Sequence, residues 1–109
     1  MITMKTRKPP IHPGKILHDG YMKERGITIE EMRKALGMSR NQMSCIVNGR
    51  KPIRTNLAVK LGEITGTTPD LWLNLQNKFD IRQAQQSLSP TVIKRLKSYH
   101  SSFEQRATP

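Results

Sequence analysis

Arg40 and Asn41 sit side by side behind Ser39, and each ends in a flat hydrogen-bonding group. A guanidinium can donate twice to the O6 and N7 edge of guanine, and a carboxamide can pair with the N6 and N7 edge of adenine. At about 100° per residue, Arg40, Asn41, Ser44, Cys45 and Asn48 share one side of a helix, whereas Gln42, Met43 and Ile46 take the other. Ser44 and Cys45 are short enough for close approach but read little. The surrounding charge has one sign, since Arg33 to Lys60 holds seven Lys or Arg residues and no Asp or Glu. Arg50, Lys51 and Arg54 would grip a phosphate backbone. Thr28, Ser39 and Asn48, with the open amides at two predicted helix starts, are placed for phosphate oxygens. Such a polar helix flank in a cationic setting suits the major groove of duplex DNA.

That chemistry needs a short helix held at a fixed angle to a second one. Thr28-Ile29-Glu30-Glu31 is a capping box, in which the hydroxyl accepts an amide proton from the third helical residue and Glu31 reaches back to the cap. Met32 and Leu36 line the buried side of the helix it starts, and Gly37 ends that helix in a left-handed conformation. After a four-residue turn Ser39 caps the next helix, with Gln42 in the reach-back position, and Gly49 stops it. A Gln42 side chain folded back in this way cannot also reach a base, so tying back competes with contact to base or phosphate.

Other helices must hold this pair. Gly14 to Gly26 reads as one, weakened by Gly20, with Ile16, Leu17, Tyr21 and Met22 on one side. Thr55 is placed to cap a helix carrying Leu57, Ala58, Leu61 and Ile64. Thr68-Pro69-Asp70 gives three agreeing start signals for a fifth, expected to bury Leu71, Trp72, Leu75 and Phe79, with Trp72 and Leu75 as plain core. Residues 1 to 13 read as a basic, Pro-containing arm and 14 to 82 as the domain. Residues 83 to 109 read as a Gln/Ser-rich linker, Gln83 to Ser89, and a last helix from Pro90, with the helix propensity of Gln leaving open a fifth helix that runs through Ala84. That helix carries a stripe of Val92, Leu96, Tyr99 and Phe103 beside Lys94, Arg95 and Lys97, a face that needs something to cover it. No strand pattern and no internal repeat is present, so the fold class is all-α.

Composition sets the bounds. A chain of 109 residues with 35% hydrophobic content supports one small core. Its formal charge of +11 and pI near 10.4 favour a polyanionic partner, nucleic acid ahead of an anionic membrane surface. No apolar run approaches the roughly 18 to 20 residues needed to span a bilayer, and Met1 to Pro13 has no apolar leader core, which predicts a cytoplasmic protein. Cys45 is the sole cysteine, excluding an intrachain disulfide and a cysteine-based zinc site, and its place on the polar flank argues exposure over burial. His12, His18 and His100 are scattered without carboxylates at ligand spacing, so no metal, cofactor or catalytic site is expected.

Three stretches then combine into a more specific pattern. Pro10-Ile11-His12-Pro13-Gly14-Lys15-Ile16-Leu17, Val47-Asn48-Gly49-Arg50-Lys51-Pro52-Ile53 and Thr68-Pro69-Asp70-Leu71-Trp72-Leu73-Asn74-Leu75-Gln76 together resemble the HigA family of antitoxins. The resemblance implies a five-helix, lambda-repressor-like helix-turn-helix DNA-binding domain with an additional C-terminal helix. It also implies an antitoxin that represses its own operon and pairs with a HigB-type toxin, a ribosome-dependent ribonuclease. A homodimer on a palindromic operator would set its paired third helices about 34 Å apart, one DNA turn. Two positions depart from the family pattern: Ile29 stands where a phosphate-binding Gln is frequent, and Arg33 where a small residue lets helices two and three approach. The Arg33 stem must either snorkel outward, adding to the basic face, or widen the crossing. Two rivals remain, a stand-alone regulator without a toxin and a small basic ribonuclease. Against the enzyme stands the lack of a clustered His, Glu or Lys arrangement for acid-base cleavage.

Overall fold

The computed structural model describes residues 9–107, in which six helices follow one another and no strand occurs. Most of the expected basic arm, including Lys5, Arg7 and Lys8, lies outside the described residues.

Helix α1 is composite: an α-turn Pro13–Ile16, a six-residue π-helical stretch Leu17–Met22 and a closing turn Lys23–Arg25. It starts one residue earlier than the sequence suggests, because His12 is its N-cap and Pro13 its first residue. The bonds of the π stretch run from i to i+5, a wider turn that brings residues five apart towards the same side. Leu17 and Met22 thereby both reach the core and are fully buried, while Gly20 between them faces open space.

Helices α2 (Ile29–Leu36) and α3 (Arg40–Val47) begin with the two expected capping boxes, both formed. Thr28 Oγ1 accepts from the Glu31 amide at 3.1 Å and the Thr28 amide donates to Glu31 Oε1 at 2.9 Å. Ser39 Oγ accepts from the Gln42 amide at 3.1 Å, and the Ser39 amide donates to Gln42 Oε1 at 3.0 Å. The turn between the helices is three residues, Gly37 to Ser39, one fewer than expected, with Gly37 left-handed at φ 71°.

Helix α4 (Thr55–Thr65) is capped by Arg54 rather than by Thr55, which is its first residue, and Arg54 supplies no side-chain bond to it. Helix α5 (Pro69–Ser87) starts at Thr68 as predicted but does not stop near Arg82; the Gln-rich segment expected as a linker is helical to Ser87, consistent with the helix propensity of Gln. Only Leu88 and Ser89 separate it from α6 (Pro90–Ala107).

The core draws Leu17 and Met22 from α1, Met32 and Leu36 from α2, Met43, Ile46 and Val47 from α3, Ala58 and Leu61 from α4 and Trp72 from α5, with Ile53 from the loop before α4. Leu75 is half-buried against it, whereas Leu71, expected inside, is 41% exposed. Polar ties fix the layers: Tyr21 OH donates to the Ile64 carbonyl at 3.2 Å, and Trp72 Nε1 donates to Thr67 Oγ1 at 3.0 Å. Helix α6 lies apart from this core, and its Leu96, Tyr99 and Phe103 are half or more exposed.

Candidate nucleic-acid interface

Helix α3 presents its flank because its other side is anchored. Met43, Ile46 and Val47 are buried, Arg40, Asn41 and Asn48 are exposed, and Ser44 and Cys45 are half-buried between them. Gln42, assigned by spacing to the inner side, is exposed: its carboxamide turns back to the cap and leaves the stem in solvent. The open first-turn amides of Arg40 and Asn41 precede any intrahelical acceptor and point out of the helix start. Asn48 is the C-cap, and its Nδ2 donates to the Ser44 carbonyl at 2.8 Å and lies 3.3 Å from Ser44 Oγ.

Three expected phosphate ligands thus have internal work. The hydroxyls of Thr28 and Ser39 are held by their capping boxes, and the Asn48 amide group is held by Ser44. Ile29 packs half-buried against the core, so the position contributes apolar contact in place of a polar side chain.

The seven cations between Arg33 and Lys60 are not equivalent. Glu30, just outside that window, takes both Arg33 and Lys34: Arg33 Nη2 reaches Glu30 Oε2 at 2.8 Å, and Lys34 Nζ lies 3.7 Å from the same oxygen. The Arg33 hydrogen bonds hold the Glu30 carboxyl below its ordinary value and Glu30 in turn raises Arg33. Arg33 therefore folds along its own helix instead of enlarging the free basic face. Lys60 Nζ donates to the Leu36 carbonyl at 3.0 Å and closes the end of α2. Arg40, Arg50, Lys51 and Arg54 remain, all exposed and without a hydrogen-bond or ion-pair partner among the described residues.

The loop carrying three of these cations is tied at both ends by hydrogen bonds. Gly49 (φ 74°) leaves α3, its amide donating to Ile46 O at 3.0 Å, and the amides of Arg50 and Lys51 both donate to Cys45 O, at 2.8 and 3.3 Å. Two residues lower in the fold complete the support. Gln76, buried, accepts from the Ile53 amide at 2.8 Å and donates to Asp80 Oδ1 at 3.0 Å. His12, also buried, accepts from the Gly14 amide at 2.9 Å and packs against Gly49 and Phe79. Burial holds the His12 imidazole below its ordinary value, opposed by the Asp80 carboxylate and the Lys51 backbone. Sequence reasoning missed both supports. For His12 a signal existed, since a side-chain acceptor directly before Pro13 is an N-cap pattern; for Gln76 none did.

Among the described residues, no helix is long and apolar enough to cross a membrane. Residues 19–70 match the family described as the Cro/C1-type helix-turn-helix DNA-binding domain. An uncharacterized helix-turn-helix transcriptional regulator of Haemophilus influenzae is 37% identical over 92 residues, 79% of this chain and 85% of the relative. Antitoxin HigA-1 of Vibrio cholerae is 34% identical over 77 residues, 71% of this chain and 72% of the relative. The antitoxin GraA, solved in complex with its operator, superposes with a TM-score of 0.72 at 35% identity, covering 84% of this chain and 93% of GraA.

Proposed function

Because the chain belongs to the HigA family of Cro/C1-type helix-turn-helix proteins, we propose that it is the antitoxin of a HigBA-type module, binding a palindromic operator as a homodimer. In this reading it represses its own operon and neutralises a HigB-type ribonuclease toxin. The observation that carries the DNA half is the set of four exposed cations without a partner among the described residues, Arg40 at the start of α3 and Arg50, Lys51 and Arg54 in the loop that follows it, where Lys51 and Arg54 share a cleft with Gln42 of α3. GraA, a relative of matching fold, was solved on its operator, which supports operator binding by this fold.

The roles divide by reach. Arg40 and Asn41, beside the open amides of the first turn, read base edges, while Ser44 and Cys45 allow the helix to approach. Arg50, Lys51 and Arg54 grip phosphates and supply the charge-dependent part of affinity. Thr28, Ser39 and Asn48 act mainly by holding the helix ends, and Gln42 has its Nε2 to offer while its oxygen stays on the cap. Helix α6, with Leu96, Tyr99 and Phe103 uncovered, is the surface assigned to protein contact. A stand-alone regulator is the second reading, favoured by the Haemophilus relative described only as a transcriptional regulator.

Co-expression with the product of the adjoining reading frame tests the whole. The antitoxin reading expects co-elution with a small basic ribonuclease, relief of its toxicity, and retardation of the module's own promoter fragment. Promoter binding without a toxin in the neighbourhood favours the regulator, and failure to bind the promoter defeats both.

A further inference from the structure

Arg33 makes a two-ended contact. Its Nε and Nη2 donate to the two carboxylate oxygens of Glu30 at 3.0 and 2.8 Å, and its Nη1 lies 3.4 Å from the Met38 carbonyl. The Met38 amide in turn donates to the Arg33 carbonyl at 2.9 Å, so Arg33 and Met38 are joined by side chain and backbone together. Met38 immediately precedes Ser39, the cap on which α3 starts and beside which Arg40 and Asn41 stand. The planar guanidinium, fixed at two points by Glu30, thus reaches from the first turn of α2 to the segment that sets where α3 begins.

We propose that Arg33, held by Glu30, is a positioning residue for base reading: it fixes the start of α3 relative to α2 and so sharpens sequence discrimination without itself neutralising a phosphate. The proposal rests on the DNA-binding reading given above and deepens it. Both Glu30 oxygens are engaged by Arg33, and this pairing withholds one cation from the basic face while orienting another. Arg33 and Arg40 therefore differ in kind: one sets geometry from behind and the other faces the groove.

The experiment uses the full chain with Arg33→Ala, Arg33→Lys and Glu30→Gln. Binding to the promoter fragment and to a random duplex is measured across a salt series, alongside amide hydrogen exchange of the free protein. Arg33→Ala and Arg33→Lys are expected to lower promoter affinity about tenfold, the scale of a small misplacement of a preorganised contact. Random-duplex affinity and the salt slope stay at the wild-type level, and the amides of Ser39 and Gln42 exchange faster. Lysine fails to rescue because it cannot make the two-point contact, whereas a role in charge alone would be restored by it. Glu30→Gln, which frees both Arg33 and Lys34, is expected to tighten random-duplex binding and steepen the salt slope by about one to two. A salt slope reduced by about one in Arg33→Ala, with equal losses on both DNAs, would make Arg33 a direct phosphate ligand and overturn the proposal. Full rescue by lysine or unchanged amide exchange would overturn it as well. If the wild-type chain binds neither DNA, the DNA-binding reading fails, and the exchange measurement still decides whether Arg33 fixes the start of α3.

Discussion

The imidazole of His12 stands edge-on to the ring of Phe79, centroids 5.0 Å apart and planes inclined at 77°. One ring therefore links three parts of the chain: it caps α1 through Gly14, lies against Gly49 where α3 ends, and meets α5 at Phe79. The loop of Arg50 and Lys51 hangs from the middle of these contacts. Its cations are placed by a side chain that touches none of their charged groups.

The same burial makes the domain sensitive to acid. His12 is held below its ordinary value of 6.5, so between that lowered value and 6.5 the unfolded chain binds a proton that the fold excludes. Its contribution to stability is complete above 6.5 and is lost as pH falls below it. Denaturant midpoints of the wild type should decline from pH 7 to 5, and His12→Asn, which keeps a capping oxygen but cannot titrate, should flatten that part of the decline. The substitution should cost about 1 to 2 kcal/mol at pH 7 through the lost ring contact. An unchanged slope would remove His12 from the account.

Gly14 gives a steric prediction of a different sort. A Cβ built there would overlap the Ile46 carbonyl oxygen, backbone that cannot turn away as a side chain can. Gly14→Ala must push α1 from the end of α3, at a cost of about 3 kcal/mol by the overpacking scale. Thermal denaturation measures it, with Gly20→Ala as the control because nothing lies within 4 Å of its added carbon. The control should be neutral or slightly stabilising.

Local signals in the sequence carried the helix pair. Both capping boxes are formed over three-residue spacings, and Gly37 takes the left-handed state its position requires. Reading failed wherever the deciding partner is remote or lies just outside the window considered. Gln76 meets the Ile53 amide across 23 positions, and nothing in either residue announces it. The one-sign charge run suggested seven available cations, yet Glu30 captures two and the Leu36 carbonyl a third, because helical spacing and a tertiary contact bring these acceptors within reach. Amphipathic phase placed Leu71 inside, but at the start of α5 it lies past the edge of the core and stays 41% exposed.

Base reading and phosphate gripping should separate in paired substitutions. Arg40→Ala removes the side chain proposed to read base edges and should cost about 1 to 3 kcal/mol on the operator while relaxing sequence preference. Lys51→Ala removes a cation from the loop and should weaken operator and random duplex alike, lowering the salt slope by about one. Titrations of both DNAs at several salt concentrations check the pair. Equal losses from the two variants would cancel the assignment of Arg40.

Cys45 is half-buried on the α3 flank, its carbonyl already holding the Arg50 and Lys51 amides. Alkylating its thiol adds bulk where the helix is proposed to approach DNA, so operator binding should weaken by tenfold or more, on the order of one lost base contact. Mass spectrometry establishes complete modification, and a circular dichroism melt shows whether the fold survives. Unchanged affinity at full modification would take Cys45 off the interface.

The stripe on α6 separates stability from association. Leu96, Tyr99 and Phe103 are 50 to 55% exposed, and the Tyr99 and Phe103 rings lie 5.9 Å apart on one side of the helix. Since they leave the core untouched, Leu96→Asp with Phe103→Asp should shift the unfolding of the helix-turn-helix domain by no more than about 0.5 kcal/mol, as surface substitutions do. The proposed homodimer, if α6 closes it, should dissociate in sedimentation velocity. Operator affinity should fall with it, because two linked third helices bind with an avidity that one lacks. A variant that stays dimeric with full operator affinity would move the dimer contact away from α6, leaving the stripe to the toxin.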